Sequence, residues 1–198
     1  MMNSAKQEWV NEYIGLLNQA IDKMPVDQIV RAAEMIHSAR LERKMIFTMG
    51  NGGSSATASH MACDFSKNTR VPYLPAIRTM CLSDSTPTLT AFANDEGYEK
   101  VFSEPLKALA EPGDILIAIS GSGNSANILR GLETAREIGL KTIGLSGFKG
   151  GQMISMVDLP INIDTDSIER VEDLHMVCDH LLTMVLREIA MHELEGKR

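Results

Sequence analysis

Residues 114–139 contain the feature that most restricts how this chain can fold: a short apolar run, a loop of glycine and serine, and an amphipathic helix follow one another directly. The run Asp114–Ile119 is β-branched and uncharged after its first residue, which is typical of a buried strand in a parallel sheet. Apolar residues then recur at helical spacing from Ile128 to Ile138, and Gly139 stands where a helix C-cap belongs. This order predicts one βα unit of an α/β fold.

The loop of this unit, Ile119–Ser125, has the properties of an anion site. Backbone N–H groups at a helix N-terminus carry partial positive charge, and Ser120, Ser122 and Ser125 each offer a hydroxyl donor. Because the loop contains no lysine or arginine, it suits a small phosphate monoester held by neutral donors. The alternative is that glycine and serine serve only to form the turn.

A second loop of the same kind, Gly50–Ser55, follows a predicted strand at Lys44–Met49 and precedes a predicted helix over 56–67. Glycine-rich backbone allows a ligand to approach closely, and Ser54 and Ser55 lie at the predicted helix start. In open α/β sheets, ligands bind at the carboxyl ends of the strands. Two such loops therefore predict a phosphosugar held between two strand ends.

A nicotinamide site is the competing interpretation, because Gly121-x-Gly123-x-x-Ala126 fits the dinucleotide fingerprint. That fingerprint requires an acidic residue about 20 residues further on, where it binds the ribose. The next predicted strand, Lys141–Leu145, ends in serine and glycine instead. The missing acid argues against a dinucleotide oxidoreductase.

Alternating strands and helices predict a three-layer, doubly wound parallel sheet with helices on both faces. We expect a single domain over residues 1–198, with an N-terminal helical segment over about 1–42 and an α/β core over about 43–198. The remaining predicted elements are helices at Ser4–Lys23, Val26–Ala39, Leu89–Ala93 and Ile168–His192, and extended segments at Leu74–Ile77 and Leu159–Ile163.

Composition limits the classes of partner. The formal net charge is −7 and no dense basic cluster occurs, which argues against direct nucleic-acid binding. No apolar run approaches the length of a membrane span, and the first residues lack the apolar region of a signal peptide. Three cysteines without paired spacing argue against a disulfide framework. We therefore expect a soluble, cytoplasmic protein without membrane contact.

Two pairs of side chains suit proton transfer or metal binding. His60 and Asp64 are four residues apart on one predicted helix, so they project from the same face near the second loop. Glu172 and His180 lie on the last predicted helix, about 12 Å apart along its axis. The alternatives are that His60 and Asp64 form a solvated pair, and that Glu172 is an acid favoured by the helix dipole near its first turn. His175 is predicted to be structural.

Four segments together resemble the sugar isomerase (SIS) domain family, and within it the phosphoheptose isomerases. They are GNGGSSATASHMACDF, LTAFANDEGYEKVF, PGDILIAISGSGNSANILRGLETAREIG and ERVEDLHMVCDH, in that order. The resemblance covers the chain from about Lys44 to the end of the last helix. It implies a flavodoxin-like α/β fold, a homotetramer with active sites between subunits, and isomerisation of a sugar phosphate, with sedoheptulose 7-phosphate as the first candidate.

The resemblance also implies site residues. Zn²⁺ would be held by His60, Asp64, Glu172 and His180, and Asp64 with His180 would form the acid–base pair of an enediol route. Substrate contacts would fall on Asn51, Gly52, Gly53, Ser54, Asp64, Asn94, Asp95, Ser120, Gly121, Ser122, Ser125 and Glu172.

Several residues depart from the family pattern. Asp64 stands where the family has glutamate, and Glu172 where it has glutamine. Other departures around the pocket are Thr57, Ser59, Ser85, Pro87 and Gly121. They suggest that recognition of the sugar hydroxyls is altered and that the substrate need not be a heptose. A second hypothesis is therefore a non-catalytic SIS protein that binds a phosphosugar or a protein partner, as the branch that regulates replication initiation does.

Overall fold

Helices and strands alternate in the computed structural model, which describes residues 2–195 and the side chains of residues 5–193. The strands are β1 (Met45–Gly50), β2 (Arg78–Cys81), β3 (Ile115–Ser120), β4 (Lys141–Gly147) and β5 (Leu159–Ile163). The helices are α1 (Met2–Ile21), α2 (Val26–Leu41), α3 (Gly52–Lys67), α4 (Thr86–Asp95), α5 (Ser103–Leu109), α6 (Ala126–Ile138) and α7 (Ile168–Glu195). Residues 1 and 196–198 of the expected domain lie outside the described residues.

All five strands are parallel, in the order β2-β1-β3-β4-β5. This is the flavodoxin-like order. The sheet grows from β1 in one direction to β2 and in the opposite direction to β3, so the order of the strands reverses between β1 and β3. Crevices at such a reversal are where open α/β sheets bind ligands. The two glycine and serine loops follow these two strands, so the topology brings both loops to one end of the sheet.

Two hydrophobic layers cover the sheet, which confirms the predicted three-layer α/β class. One face packs against α2, α3 and α7, and the other against α5, α6 and residues of α4. Every residue of β3 is buried, which explains its continuous apolar sequence. The C-cap prediction is also confirmed, because Gly139 ends α6 in the left-handed conformation with φ 92°.

Two predicted elements begin four residues away from where the structure places them. The strand expected at Leu74–Ile77 lies four residues later, at β2, where Arg78 and Met80 are exposed. This edge strand lacks an apolar run because only one of its sides pairs with the sheet. Helix α3 begins at Gly52 instead of Ala56, since the glycines and serines that resemble a loop already form its first turn.

The two longest helices, α1 and α7, are 20 and 28 residues long and contact each other. Within residues 2–195, no helix combines the length and the apolar character that crossing a membrane requires.

Candidate active site between the β1 and β3 loops

The two glycine and serine loops are joined by a network of side-chain amides. Their strands pair up to Gly50 and Ile119, so the loops leave the sheet as neighbours. Asn51 and Asn127 exchange two amide hydrogen bonds of 2.9 and 2.8 Å. Tyr98 donates its hydroxyl to Oδ1 of Asn51 at 2.9 Å. The Asn51 side chain thus holds the loops together, and sequence reasoning had missed its partners Asn127 and Tyr98.

Serine hydroxyl groups in the β3–α6 loop remain able to donate to a ligand. Oγ of Ser120 accepts from the N–H of Gly123, and Oγ of Ser122 accepts from the N–H of Asn124, each at 3.2 Å. Because both serines act as acceptors here, their hydroxyl protons are free for another partner. Ser125 occupies the N-cap of α6 without a capping hydrogen bond from its side chain. These features are compatible with the predicted phosphate site.

The segment at the end of β4 and after it is hydrogen-bonded to the β3–α6 loop. Backbone N–H groups of Gly147 and Met153 donate to the carbonyl groups of Gly121 and Gly123, each at 3.0 Å. Gly123 has φ +63°, and a Cβ there would lie 2.1 Å from the carbonyl oxygen of Gly150. The loop can therefore adopt this shape only with glycine at position 123.

Helix α3 begins at the other loop, with Asn51 as its N-cap. Gly52 and Gly53 are exposed in its first turn, whereas the Ser54 side chain is buried. A Cβ on Gly53 would lie 2.5 Å from Oε1 of Glu172. The Glu172 carboxylate thus packs against the N-terminus of α3, where the helix dipole favours a negative charge.

A cluster of four titratable side chains forms where α3 packs against α7. It consists of His60 and Asp64 on α3, and Asp179 and His180 on α7, with one ligand atom of each within 4.8 Å of every other. The two histidine Nε2 atoms are 3.3 Å apart. Nε2 of His60 lies 3.7 Å from Asp64 and 3.9 Å from Asp179. Sequence reasoning had found three of these four residues and missed Asp179.

These distances fit the size of a zinc site. Ligand atoms about 2.0–2.1 Å from a tetrahedral zinc ion lie roughly 3.4 Å from one another. The separation of 3.3 Å between the His60 and His180 nitrogens matches that edge, and the two carboxylates are a few tenths of an ångström further away. Imidazole nitrogen and carboxylate oxygen are also the ligand types that zinc accepts. The residues therefore fit the metal that the resemblance implies.

Burial and like charge act on the cluster's two carboxylates. Asp179 is fully buried. Its burial, and to a smaller extent the negative charge of the nearby Asp64, raise the pKa of Asp179 to about 7. Asp64 is largely buried, and its Oδ1 accepts a hydrogen bond of 2.8 Å from Nδ2 of Asn68. The cluster thus concentrates negative charge that a cation would neutralise.

The remaining predicted site residues lie outside this cluster. Glu172 is not among its members, since α7 is continuous from Ile168 and separates Glu172 from His180 by about 12 Å of helix rise. Asn94 and Asp95 are exposed at the end of α4 and hydrogen-bond to each other at 2.7 Å. The role of these three residues stays a prediction.

Most of the departures from the family pattern have local structural roles. Thr57 is buried and donates to the carbonyl group of Gly53 at 3.4 Å, within α3. Ser85 is the N-cap of α4, and Pro87 lies in its first turn, where proline is well tolerated. At Gly121 a Cβ would lie 2.4 Å from Cδ1 of Ile168, so this isoleucine occupies the space of a larger side chain. Nothing in the structure explains Ser59.

The structure confirms His175 as a structural residue. Its side chain is fully buried, and Nε2 contacts the carbonyl group of Ser146 at 3.1 Å. Burial lowers its pKa from 6.5 to about 4, opposed by that hydrogen bond. The neutral ring therefore links α7 to the end of β4.

His175 is expected to make the fold sensitive to acid. Between pH 6.5 and about 4, His175 is protonated in the unfolded chain but neutral in the folded protein. The neutral buried ring therefore contributes fully to the free energy of unfolding above pH 6.5, and this contribution is lost as the pH falls to about 4. The loss amounts to about 3 kcal/mol in the free energy of unfolding. Urea unfolding with a chelator present should show a weaker pH dependence for His175→Gln than for the wild type over this range. Equal slopes would contradict the assignment.

Comparisons with known proteins give concordant results. Residues 8–147 match the SIS domain family. The chain is 35% identical over 189 residues to the phosphoheptose isomerase of Trichlorobacter lovleyi, covering 94% of each chain. It is 37% identical over 179 residues to that of Chlorobaculum tepidum, covering 89% of this chain and 86% of the relative. The structure of phosphoheptose isomerase GmhA from Neisseria gonorrhoeae superposes with a TM-score of 0.85 at 29% identity, covering 95% of this chain and all of that chain.

Proposed function

Because the chain belongs to the SIS domain family, we propose that it is an aldose–ketose isomerase that converts sedoheptulose 7-phosphate into an aldoheptose 7-phosphate. The observation that carries this proposal is the position of the His60–His180 cluster. Two of its members, His60 and Asp64, lie on α3, the helix that starts at one phosphate-type loop. That loop is linked to the other by the hydrogen bonds between Asn51 and Asn127. A phosphate group and a reactive carbonyl can thus be held by one surface.

The relatives described above support a seven-carbon substrate. Those of Trichlorobacter lovleyi and Chlorobaculum tepidum are phosphoheptose isomerases, and the chain matches each of them over most of its length. We therefore propose a heptose as the sugar.

In this proposal Asp64 and His180 carry out the proton transfers. Isomerisation through an enediol moves a proton from C1 to C2 and a second proton between the two oxygens. The Asp64 carboxylate, held by Asn68, serves as the base at carbon, and His180 serves the oxygens. Asp64 is largely buried, so few water molecules can reach the carboxylate and compete with the substrate for it.

Zinc is part of the proposal, held by His60, Asp64 and His180. When bound, the ion would polarise the substrate carbonyl group as a Lewis acid. The resemblance assigns the fourth ligand to Glu172. Substrate hydroxyl contacts are proposed for Asn51, Gly52, Gly53, Ser54, Asn94, Asp95 and Glu172, and phosphate contacts for Ser120, Gly121, Ser122 and Ser125.

A non-catalytic phosphosugar-binding or partner-binding protein is the less favoured function. The pocket departures that suggested it have local roles at Thr57, Ser85, Pro87 and Gly121. The acid–base cluster, in contrast, is assembled across two helices that are distant in sequence. A protein that only binds a phosphosugar would not require an acid–base cluster of this kind.

A turnover assay over ketose phosphates with five, six and seven carbons tests this proposal. The protein, prepared with and without added zinc, should convert sedoheptulose 7-phosphate to aldose faster than the shorter ketoses. Failure to convert any of them in either preparation would contradict the isomerase function. Faster conversion of a shorter ketose would contradict the heptose as substrate but would leave the isomerase function standing.

Replacing Ser122 by alanine is expected to weaken phosphosugar binding about tenfold or more. The change removes one hydroxyl donor to the phosphate, and a hydrogen bond to a charged group contributes about 1.5–3 kcal/mol. Calorimetry with sedoheptulose 7-phosphate measures the effect, and Ser155→Ala, a serine outside the loop, is the matched control. An unchanged dissociation constant for Ser122→Ala would contradict the phosphate site.

We also propose a cytoplasmic homotetramer without membrane or nucleic-acid partners. Trp9, Val10 and Ile14 on α1 are 66, 60 and 50% exposed, more than a monomer usually leaves on one helix. Light scattering at micromolar concentration should give the mass of four chains, and Trp9→Glu combined with Ile14→Glu should lower it. Leu109→Glu, on α5, should leave the mass unchanged. A monomeric mass for the wild type would contradict the tetramer.

A further inference from the structure

We infer that Asp179, and not Glu172, is the fourth ligand of the zinc site. This inference rests on the metal centre of the proposed function. It replaces Glu172, which lies two helical turns before His180 on α7, by Asp179, which directly precedes His180 in the chain. The ligands would then be His60, Asp64, Asp179 and His180.

Unpaired oxygen atoms on Asp179 are the first argument. The side chain is fully buried, and neither carboxylate oxygen has a hydrogen-bond partner among the described residues. A buried carboxylate without partners is strongly unfavourable, so such atoms require an explanation. One of them lies within 4.8 Å of ligand atoms on three other cluster members, which a cation between them explains.

The contact between the two histidines is the second argument. Nε2 of His60 and Nε2 of His180 face each other at 3.3 Å, and Asp179 lies 3.9 Å from the first of them. Without a metal, one ring must donate a proton to the other. With a metal, both rings use their lone pairs and the two carboxylates balance the charge of a divalent ion.

Glu172 has a different environment, which is the third argument. Its carboxylate packs against Gly53 in the first turn of α3, so close that any Cβ at position 53 would displace it. The free N–H groups and dipole of a helix start stabilise a carboxylate there. Glu172 therefore packs against the helix terminus beside the phosphate-type loops, and we place it outside the zinc ligand set.

Metal titration of two matched variants tests this assignment. Wild type, Asp179→Asn and Glu172→Gln are stripped with a chelator and titrated with Zn²⁺ in competition with a chromophoric chelator. Both substitutions remove one negative charge and keep the shape of the side chain. We expect Asp179→Asn to weaken zinc binding tenfold or more and Glu172→Gln to change it less than threefold. The visible absorption of the Co²⁺-loaded protein should change in Asp179→Asn only.

Thermal unfolding of the metal-free proteins provides the folding control. Asp179→Asn should unfold at a temperature no lower than the wild type, because the substitution removes a buried charge that accepts no hydrogen bond from the described residues. Its zinc-dependent rise in unfolding temperature should shrink in proportion to the lost affinity. Weaker binding in Glu172→Gln alone, or unchanged binding in both variants, would overturn the inference. Turnover measured separately with sedoheptulose 7-phosphate reports on the isomerase proposal independently.

Discussion

Replacing Asp64 by asparagine is expected to lower kcat for isomerisation by about 10²–10⁴-fold, the usual contribution of a positioned general base. Asparagine keeps the size of the side chain but can neither accept the proton from carbon nor carry negative charge. Circular dichroism should show an intact fold, since the hydrogen bond that the Asp64 side chain accepts from Asn68 can also be accepted by the amide oxygen of asparagine. Steady-state kinetics with sedoheptulose 7-phosphate measure the effect.

Asn68→Ala is the matched control for Asp64. It removes the 2.8 Å hydrogen bond to the carboxylate but leaves the carboxylate itself. A loss of about tenfold or less is expected, because the base remains and is only less well oriented. If Asp64→Asn retained more than a tenth of the wild-type kcat, the assignment of the base would be wrong.

Gly123→Ala is expected to lower the free energy of unfolding by about 4 kcal/mol. A left-handed residue costs about 1–2 kcal/mol when it carries a Cβ, and overpacking adds about 1–3 kcal/mol. The added methyl would lie 2.1 Å from the carbonyl oxygen of Gly150, which is backbone and cannot rotate away. Because the same shift displaces the β3–α6 loop from the β4 turn, affinity for the phosphosugar should fall with stability.

Gly15→Ala provides the matched control in the same experiment. Position 15 lies within α1, and a Cβ there has no heavy atom within 4 Å. Alanine is favoured over glycine in a helix by about 1 kcal/mol, so this variant should be as stable as the wild type or more stable. Urea unfolding compares the two variants. A loss below about 1 kcal/mol for Gly123→Ala would contradict the account of the loop.

Local patterns were enough to predict the strands that are buried on both faces. The runs that became β1 and β3 are short, largely apolar and followed by glycine and serine, so the sequence pattern located both strands within one residue. The edge strand β2 was displaced because Arg78 and Met80 face solvent and give no apolar signal. The start of α3 was predicted too late because Gly52 and Gly53 are poor helix formers, although Asn51 acts as the N-cap and the helix begins directly after it.

The site was predictable where its chemistry lies within one helix or loop. His60 and Asp64 share one face of α3, and the three serines of the β3–α6 loop fall within six residues of one another. Asp179 was missed because its partners lie on α3, more than 100 residues earlier in the chain. One signal was available: Asp179 follows His175 by four residues, so it lies on the buried face of α7, where an unpaired carboxylate is unusual.

The conversion of sedoheptulose 7-phosphate in deuterated water, followed by NMR, tests whether the protein is an enediol isomerase that uses Asp64. His60 and His180 are exposed, so protons held by the cluster can exchange with solvent. We expect the wild type to form an aldoheptose 7-phosphate that carries solvent deuterium at C2, and Asp64→Asn to form almost none. If the wild type bound sedoheptulose 7-phosphate in calorimetry but formed no aldose, the isomerase function would be wrong and a phosphosugar-binding function would be favoured.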